Sequence, residues 1–357
     1  MQQKSSFSSA AEANLATRTA AVCLGPEAGG GFELRALPRK KPAADEIEVA
    51  VEAAAVNPID VRRAAGYGRR LLSLMGAARF PLILGNDFVG AVVAVGEGVS
   101  DFKVGERVYG VKPPSRDGAH ATLIVTKAVH ALKAPSGRDL RTLAALPYSF
   151  VTMWLAATAA GLTPEDAKGK KVLVNGAAGG LGTLALETLS EWGAEVTAVA
   201  KASDLEACLA AGAAEAIDRD RQPLSKLAGR FDASLNFAVW EDDPALIACL
   251  REGALGHATT VHPMVHNFDQ YGWLGGAWRT LMEKKKGRAL LPKGTRRYAW
   301  VLFRPEKAAL ADLARLVTLG RLKLPVGLAA PLRDVAEAFE HVRRRRPGRA
   351  LLLPQGW

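Results

Sequence analysis

The hydrophobic pattern changes character once along the chain. From about residue 17 to residue 133, short β-branched or alternating runs are cut by Gly, Pro and Asp, as at 46–52, 88–95, 107–111 and 121–125. Runs of this kind predict strands, and this part is expected to form a β-barrel-like unit. From about residue 142 the pattern becomes Ala/Leu-rich helical stretches separated by short apolar strands. Candidate strands fall at 172–174, 195–199, 216–217, 233–235, 258–261 and 298–303, with helices near 181–192, 203–211, 222–228 and 243–251. Strand–helix alternation builds a parallel sheet covered on both faces, and six strands complete a dinucleotide-binding fold. A helix at 307–319, a strand at 324–326, a helix at 332–342 and a strand at 350–353 follow, a tail expected to return to the first unit. The predicted fold class is α/β with two domains: 18–145 completed by 304–357, and 146–303, after a tail at 1–17 expected to lack order.

Composition narrows the partners. The 357 residues suffice for two cores, and no apolar run is long enough to cross a bilayer. A net charge of +11 favours anionic partners, from nucleic acid to a phosphate-rich cofactor. The basic blocks, Arg343 to Arg346, Lys284 to Lys286 with Arg288, and Arg296 with Arg297, lack interleaved aromatics and any nucleic-acid motif. They read as solvated surface, and no nucleic-acid partner is expected. Cys23, Cys208 and Cys249 are too few and too scattered for a disulfide framework or a metal pair, which fits a reducing compartment. A cytoplasmic location is expected. The N-terminal stretch lacks an apolar signal core and is poor in acid, so the mitochondrial matrix stands as the alternative.

Candidate chemistry starts at Lys171-Val-Leu-Val-Asn-Gly-Ala-Ala-Gly-Gly-Leu-Gly182, a strand, a glycine turn and a helix start in the order that phosphate binding requires. Ala178, Gly179, Gly180 and Leu181 are the expected pyrophosphate contacts. At the end of the second strand an acidic residue would bond the ribose of NAD and repel a 2′-phosphate. Lys201 stands there instead, with Ser203 beside it and Arg219 after the third strand. Asp204 suits the start of the next helix. The predicted cofactor is therefore NADPH, with Lys201, Ser203 and Arg219 on its 2′-phosphate.

Together with Val56-Asn-Pro-Ile-Asp60, Leu84-Gly-Asn-Asp-Phe-Val-Gly90, Val95-Gly-Glu-Gly-Val99, Lys103-Val-Gly-Glu-Arg-Val108, Ala145-Leu-Pro-Tyr148 and Gly212-Ala-Ala-Glu-Ala-Ile-Asp218, this turn carries a resemblance over nearly the whole chain. The sequence resembles the quinone-oxidoreductase branch of the medium-chain dehydrogenase/reductases, and within it the reticulon-interacting mitochondrial oxidoreductase subgroup. The resemblance implies a GroES-like β-barrel catalytic domain plus a doubly wound Rossmann domain, with active site and cofactor in the cleft between them. Asn57 and Thr152 are then expected at the nicotinamide ribose and ring, Asn236 at the diphosphate–ribose side, and His262 and Phe303 flanking the carboxamide. Asp60 is expected to orient its loop. Zinc-dependent relatives place Cys where this chain has Asn57, and Gly-His-Glu where it has Gly85, Asn86 and Asp87. Amides are poor zinc ligands, so no metal is expected. The implied reaction is hydride transfer to a quinone or enone, with Tyr67 as candidate proton donor and Tyr148 as second choice. Alternatives are an enoyl-thioester reductase and an NADPH-binding regulatory or assembly factor. A homodimer is expected.

Residues 267–297 exceed what a Rossmann connection needs. Trp273, Leu274, Trp278, Leu281 and Met282 recur at helical spacing beside Arg279, Lys284, Lys285, Lys286 and Arg288. Such a stripe usually faces a core, which is the expectation. A lid over the acceptor, a dimer surface and peripheral contact with a membrane are the alternatives.

Overall fold

The computed structural model describes residues 16–26 and 31–355. Residues 1–15 of the expected tail lie outside the described residues, and Thr17 already pairs with Pro38. The chain divides into two units, one reaching Pro147 and resuming at Pro325, the other spanning Tyr148–Leu324.

The first unit opens with β1 (Thr17–Cys23), β2 (Phe32–Pro38) and β3 (Glu46–Val56), then α1 (Pro58–Ala64). β4 (Leu82–Ile83), β5 (Asp87–Val95), β6 (Arg107–Val111), β7 (Leu123–Lys127), β8 (Ala131–Lys133) and α2 (Leu140–Ala144) follow. β2, β1 and β4 form one sheet, and β3, β5, β6, β7 and β8 belong to a second of seven strands. Apolar residues from both sheets, among them Ala20, Val22, Ile47, Val49, Phe88 and Ile124, share one core. Pro58 opens α1 at a position whose N–H would have no helical acceptor. Buried Asp60 accepts from the Asn57 N–H at 2.9 Å and from the Gly85 N–H at 3.0 Å, tying two loops together as its expected orienting role requires.

The second unit begins with α3 (Pro147–Ala160). It continues through β9 (Lys171–Asn175), α4 (Gly180–Glu191), β10 (Glu195–Ala200), α5 (Leu205–Ala210) and β11 (Glu215–Asp218). β12 (Ala233–Asn236), α6 (Asp243–Ala248), β13 (Gly256–Thr259), α7 (Met264–Ala289), β14 (Arg297–Trp300) and α8 (Lys307–Leu319) complete it. Strand order is β11-β10-β9-β12-β13-β14, all parallel, so the order reverses between β9 and β12. That reversal opens a crevice at the carboxyl ends of the strands.

Three expectations need correction. The helix expected at 222–228 is a short 3-10 turn, Leu224–Leu227. The strand expected at 298–303 stops at Trp300, because its partner β13 ends at Thr259 and offers no further ladder. The Rossmann unit runs to Leu324 instead of residue 303. α8 buries Leu310, Leu313 and Leu316, and Arg315 and Arg321 reach Glu191 of α4, which holds the helix in this unit.

The chain then returns to the first unit with β15 (Val326–Pro331), α9 (Val335–Arg343) and β16 (Arg349–Leu353). β16 pairs antiparallel with β3, Ala350 opposite Val56, and Phe339 of α9 packs on Phe32 with ring centroids 4.5 Å apart.

Candidate functional site

In the Rossmann unit the site grows from the end of β9. Gly176 has a φ of +76°, and a Cβ at Gly182 would strike the Gly176 carbonyl and lie 2.5 Å from the Ala177 Cα. Only glycine lets α4 start this close to the turn. Ala178 and Gly179 are exposed, Gly180 and Leu181 half-buried. The first-turn N–H groups of α4 have no intrahelical acceptors and can take a phosphate. Ala200 lies opposite Asp218, so Lys201 and Arg219 leave the sheet side by side, both exposed. The Arg219 N–H donates to the Ala200 carbonyl at 2.9 Å. The Ser203 hydroxyl donates to Asp204 at 3.0 Å.

Asn236 is fully buried at the end of β12. Its amide donates to the Val239 carbonyl at 2.7 Å and to Asp243 at 2.6 Å, while its oxygen accepts from the Ala238 N–H at 3.1 Å and from Asn175 at 3.2 Å. These bonds give Asn236 a holding role, fixing the 237–242 loop beside Gly176.

His262 follows β13, stacked on Trp300 at 5.1 Å with planes 6° apart, and its Nε2 meets the Val301 carbonyl at 3.1 Å. Burial pushes its imidazole down to about 4. The ring is therefore neutral at ordinary pH, and its Nδ1 is buried without a partner. Trp240 meets Trp300 edge-on at 5.1 Å, and the Trp300 indole N–H donates to Tyr298 at 2.9 Å. Tyr148 tilts against Phe303 with centroids 4.4 Å apart, and the Thr152 hydroxyl donates to the Tyr148 carbonyl one turn back at 2.7 Å. Tyr148, Thr152 and Phe303 therefore come together.

In the GroES-like unit Asn57 is fully buried. Its amide donates to Asp87 at 2.7 Å and its oxygen accepts from Arg349 of β16, so its side chain is held at both ends. Like Asn236 it holds its surroundings. The Asn86 amide donates to the Lys112 carbonyl at 2.8 Å. Burial lowers the Lys112 ammonium to about 8. Among the described residues no three His, Cys, Asp or Glu side chains gather in a way that fits a metal ion. Tyr67 sits half-buried between Gly66 and Gly68, both at positive φ, with the Arg62 guanidinium 5.7 Å from its ring centroid. His120, His257 and His341 are buried and serve structure, His120 facing the Ala55 carbonyl at 3.1 Å. Sequence reasoning missed Arg349, Asp87 as a partner of Asn57, and the Trp240–Trp300 pair. Asn175, next to the glycine turn, was the one missed residue with a readable signal.

The profile of the Alcohol dehydrogenase GroES-like domain matches residues 43–136, and that of the Zinc-binding dehydrogenase family matches residues 211–347. The chain is 31% identical over 314 residues to NAD(P)H oxidoreductase RTN4IP1, mitochondrial, of Mus musculus, covering 84% of this chain and 79% of that protein. It is 31% identical over 337 residues to Reticulon-4-interacting protein 1, mitochondrial, of Caenorhabditis elegans, covering 88% and 90%. The quinone oxidoreductase from Coxiella burnetii shares the fold, with a TM-score of 0.75 at 21% identity over 94% of this chain and 99% of that one. By sequence and by fold, the chain belongs to the medium-chain dehydrogenase/reductase family of oxidoreductases, near the RTN4IP1 proteins.

Proposed function

We propose that the protein is an NADPH-dependent reductase that delivers hydride to a quinone or an α,β-unsaturated carbonyl without zinc. The observation that carries NADPH is the register of β10 and β11, which brings Lys201 and Arg219 out together beside the glycine turn. Two cations at the ribose end suit a 2′-phosphate. The turn fits the dinucleotide because its glycines leave backbone N–H groups clear of side chains. When bound, the nicotinamide supplies the hydride. A conjugated acceptor spreads the incoming charge over its own bonds, which removes the need for a Lewis acid. The chain's residues orient the acceptor and supply a proton, with the phenols of Tyr67 and Tyr148 as donors. Zinc independence rests on Asn57, whose side chain is already held by Asp87 and Arg349. The relatives' names carry "mitochondrial", which favours that location for this chain over the cytoplasm.

Replacing Lys201 and Arg219 together by Ala is expected to weaken NADPH binding by at least about 100-fold and to leave NADH binding within about twofold, since each charged hydrogen bond contributes about 1.5–3 kcal/mol. Titration of both cofactors checks this, and equal losses would sink the assignment. Quinone or enone turnover that collapses in chelator, with one zinc per chain by elemental analysis, would sink the zinc-free reading.

A further inference from the structure

Helix α7 does not continue straight. Gly272, at φ 74° and ψ −169°, breaks it, and the chain folds back on itself. A Cβ on Gly276 would lie 2.6 Å from the Phe268 Cα and 2.9 Å from the Asn267 carbonyl oxygen, so the two arms touch backbone to backbone. Buried Asn267 donates to Glu283 at 2.9 Å and to Thr280 at 3.3 Å. Arg279 covers the Tyr271 ring at 4.6 Å and pairs with Glu283 at 3.5 Å. Gly276, Thr280, Glu283 and Gly287 therefore form the inner face, and Gly287 abuts the Tyr298 ring of β14.

At about 3.6 residues per turn, Leu274, Trp278 and Leu281 share the opposite face with Lys285 and Arg288, while Lys284 lies at its flank and Trp273 turns edge-on to Phe268 of the first arm at 5.8 Å. Leu274 is 89% exposed, Trp278 and Leu281 65%, and Trp273 45%. The expectation that this stripe packs on the Rossmann core is thereby corrected: the small residues of the inner face make the contact, Trp273 touches only the other arm of α7 among the ring contacts, and Leu274, Trp278 and Leu281 stay outside. Lys284, Lys285, Lys286 and Arg288 form no ion pair among the described residues, and the outer face holds no carboxylate. A second copy meeting this face would set cations near cations without counter-charge. An anionic bilayer supplies both missing partners, phosphates for the cations and an interfacial layer for Trp and Leu. No helix of the described residues is long and apolar enough to cross a membrane, so any such contact is peripheral.

We propose that the outer face of α7 docks on an anionic lipid surface, Leu274, Trp278 and Leu281 entering the interface while Lys284, Lys285 and Arg288 meet headgroup phosphates. The docking does not depend on which acceptor the enzyme reduces. Flotation with phosphatidylcholine vesicles, with and without phosphatidylglycerol, tests it on the full chain. Wild type is expected to float with the anionic vesicles only and to be released by high salt, as screening requires. Lys284→Glu with Lys285→Glu and Arg288→Glu is expected to lower partitioning by more than about 100-fold, since loss of the three cations alone contributes roughly fivefold each and the added carboxylates repel the surface. Trp278→Ser with Leu281→Ser is expected to lower it too, at an unchanged melting temperature because both side chains are exposed. Unchanged NADPH binding confirms that each variant is folded. Wild type that ignores anionic vesicles, that binds neutral ones equally, or that floats as well after charge reversal overturns the proposal. So does sedimentation showing a dimer that Trp278→Ser with Leu281→Ser dissociates, since the face would then belong to a second copy.

Discussion

In the Rossmann unit the candidate phosphate site is made of backbone: a strand end, a turn with positive φ at Gly176 and the free first turn of α4. In the GroES-like unit the corresponding centre is made of side chains from three distant segments, Asn57 after β3, Asp87 at the start of β5 and Arg349 at the start of β16. The two fail in opposite ways. A backbone site has few side chains to lose and is damaged by adding atoms, whereas a side-chain chain is damaged by removing them. A motif can encode the first kind because its requirement, the absence of Cβ atoms at set spacing, is local. The second kind depends on which strands become neighbours.

The contrast breaks most visibly at Asp87. Asp87→Ala removes the acceptor from the buried Asn57 amide and the carboxylate end of the chain that runs to Arg349. It is expected to cost about 3 kcal/mol, read as a shift of the denaturation midpoint. Asp87→Asn, which keeps an acceptor and the shape, should cost less than half of that. Equal effects for Ala and Asn would mean that the negative charge of the carboxylate, and not an acceptor of its shape, holds the centre.

Gly182→Ala asks the reverse question of the turn. The added methyl meets the Gly176 carbonyl and Ala177, so about 1–3 kcal/mol of stability is expected to go, with NADPH affinity falling further than stability. Leu181→Ala, a truncation at a half-buried position of the same turn, should leave NADPH affinity within about threefold if backbone does the binding. A larger loss at Leu181 than at Gly182 would overturn the backbone account.

The smallest effect sharpens the comparison on the helix behind the turn. Burial raises the Glu187 carboxyl of α4 to about 7, from an ordinary 4.5, despite the Lys323 N–H it accepts at 3.1 Å. A raised carboxyl favours the proton in the folded state. Its stability contribution is therefore full below about pH 4.5 and lost as pH rises toward 7. Glu187→Gln should remove that slope and stabilise the protein at pH 7.5 relative to pH 5 by about 1–2 kcal/mol compared with wild type, the partial exposure trimming the full value. Denaturant melts at the two pH values decide it, and parallel profiles would refute the assignment.

Much of this is legible in the sequence. The strand–helix alternation, the glycine turn and the cation in place of an acid at Lys201 rest on local requirements, namely periodicity, Cβ-free spacing and the sign of one charge. Their outcomes follow from near neighbours in the chain. The partners that hold Asn57 and Asn236 were not legible, because a side chain's hydrogen bonds depend on residues elsewhere. Arg349, 292 residues from Asn57, meets it only because β16 pairs with β3. The amphipathic stripe of α7 misled for the same reason. Helical spacing defines a face, but Gly272 and Gly276 let the arms close on their small residues and turn Trp278 outward. What the sequence by itself determined is which elements form and where a phosphate-binding turn lies, since these need only interactions within a few residues. Which polar side chains hold the site, and which face of a helix meets solvent, only the tertiary structure decided, because both depend on contacts between segments that the order along the chain does not specify.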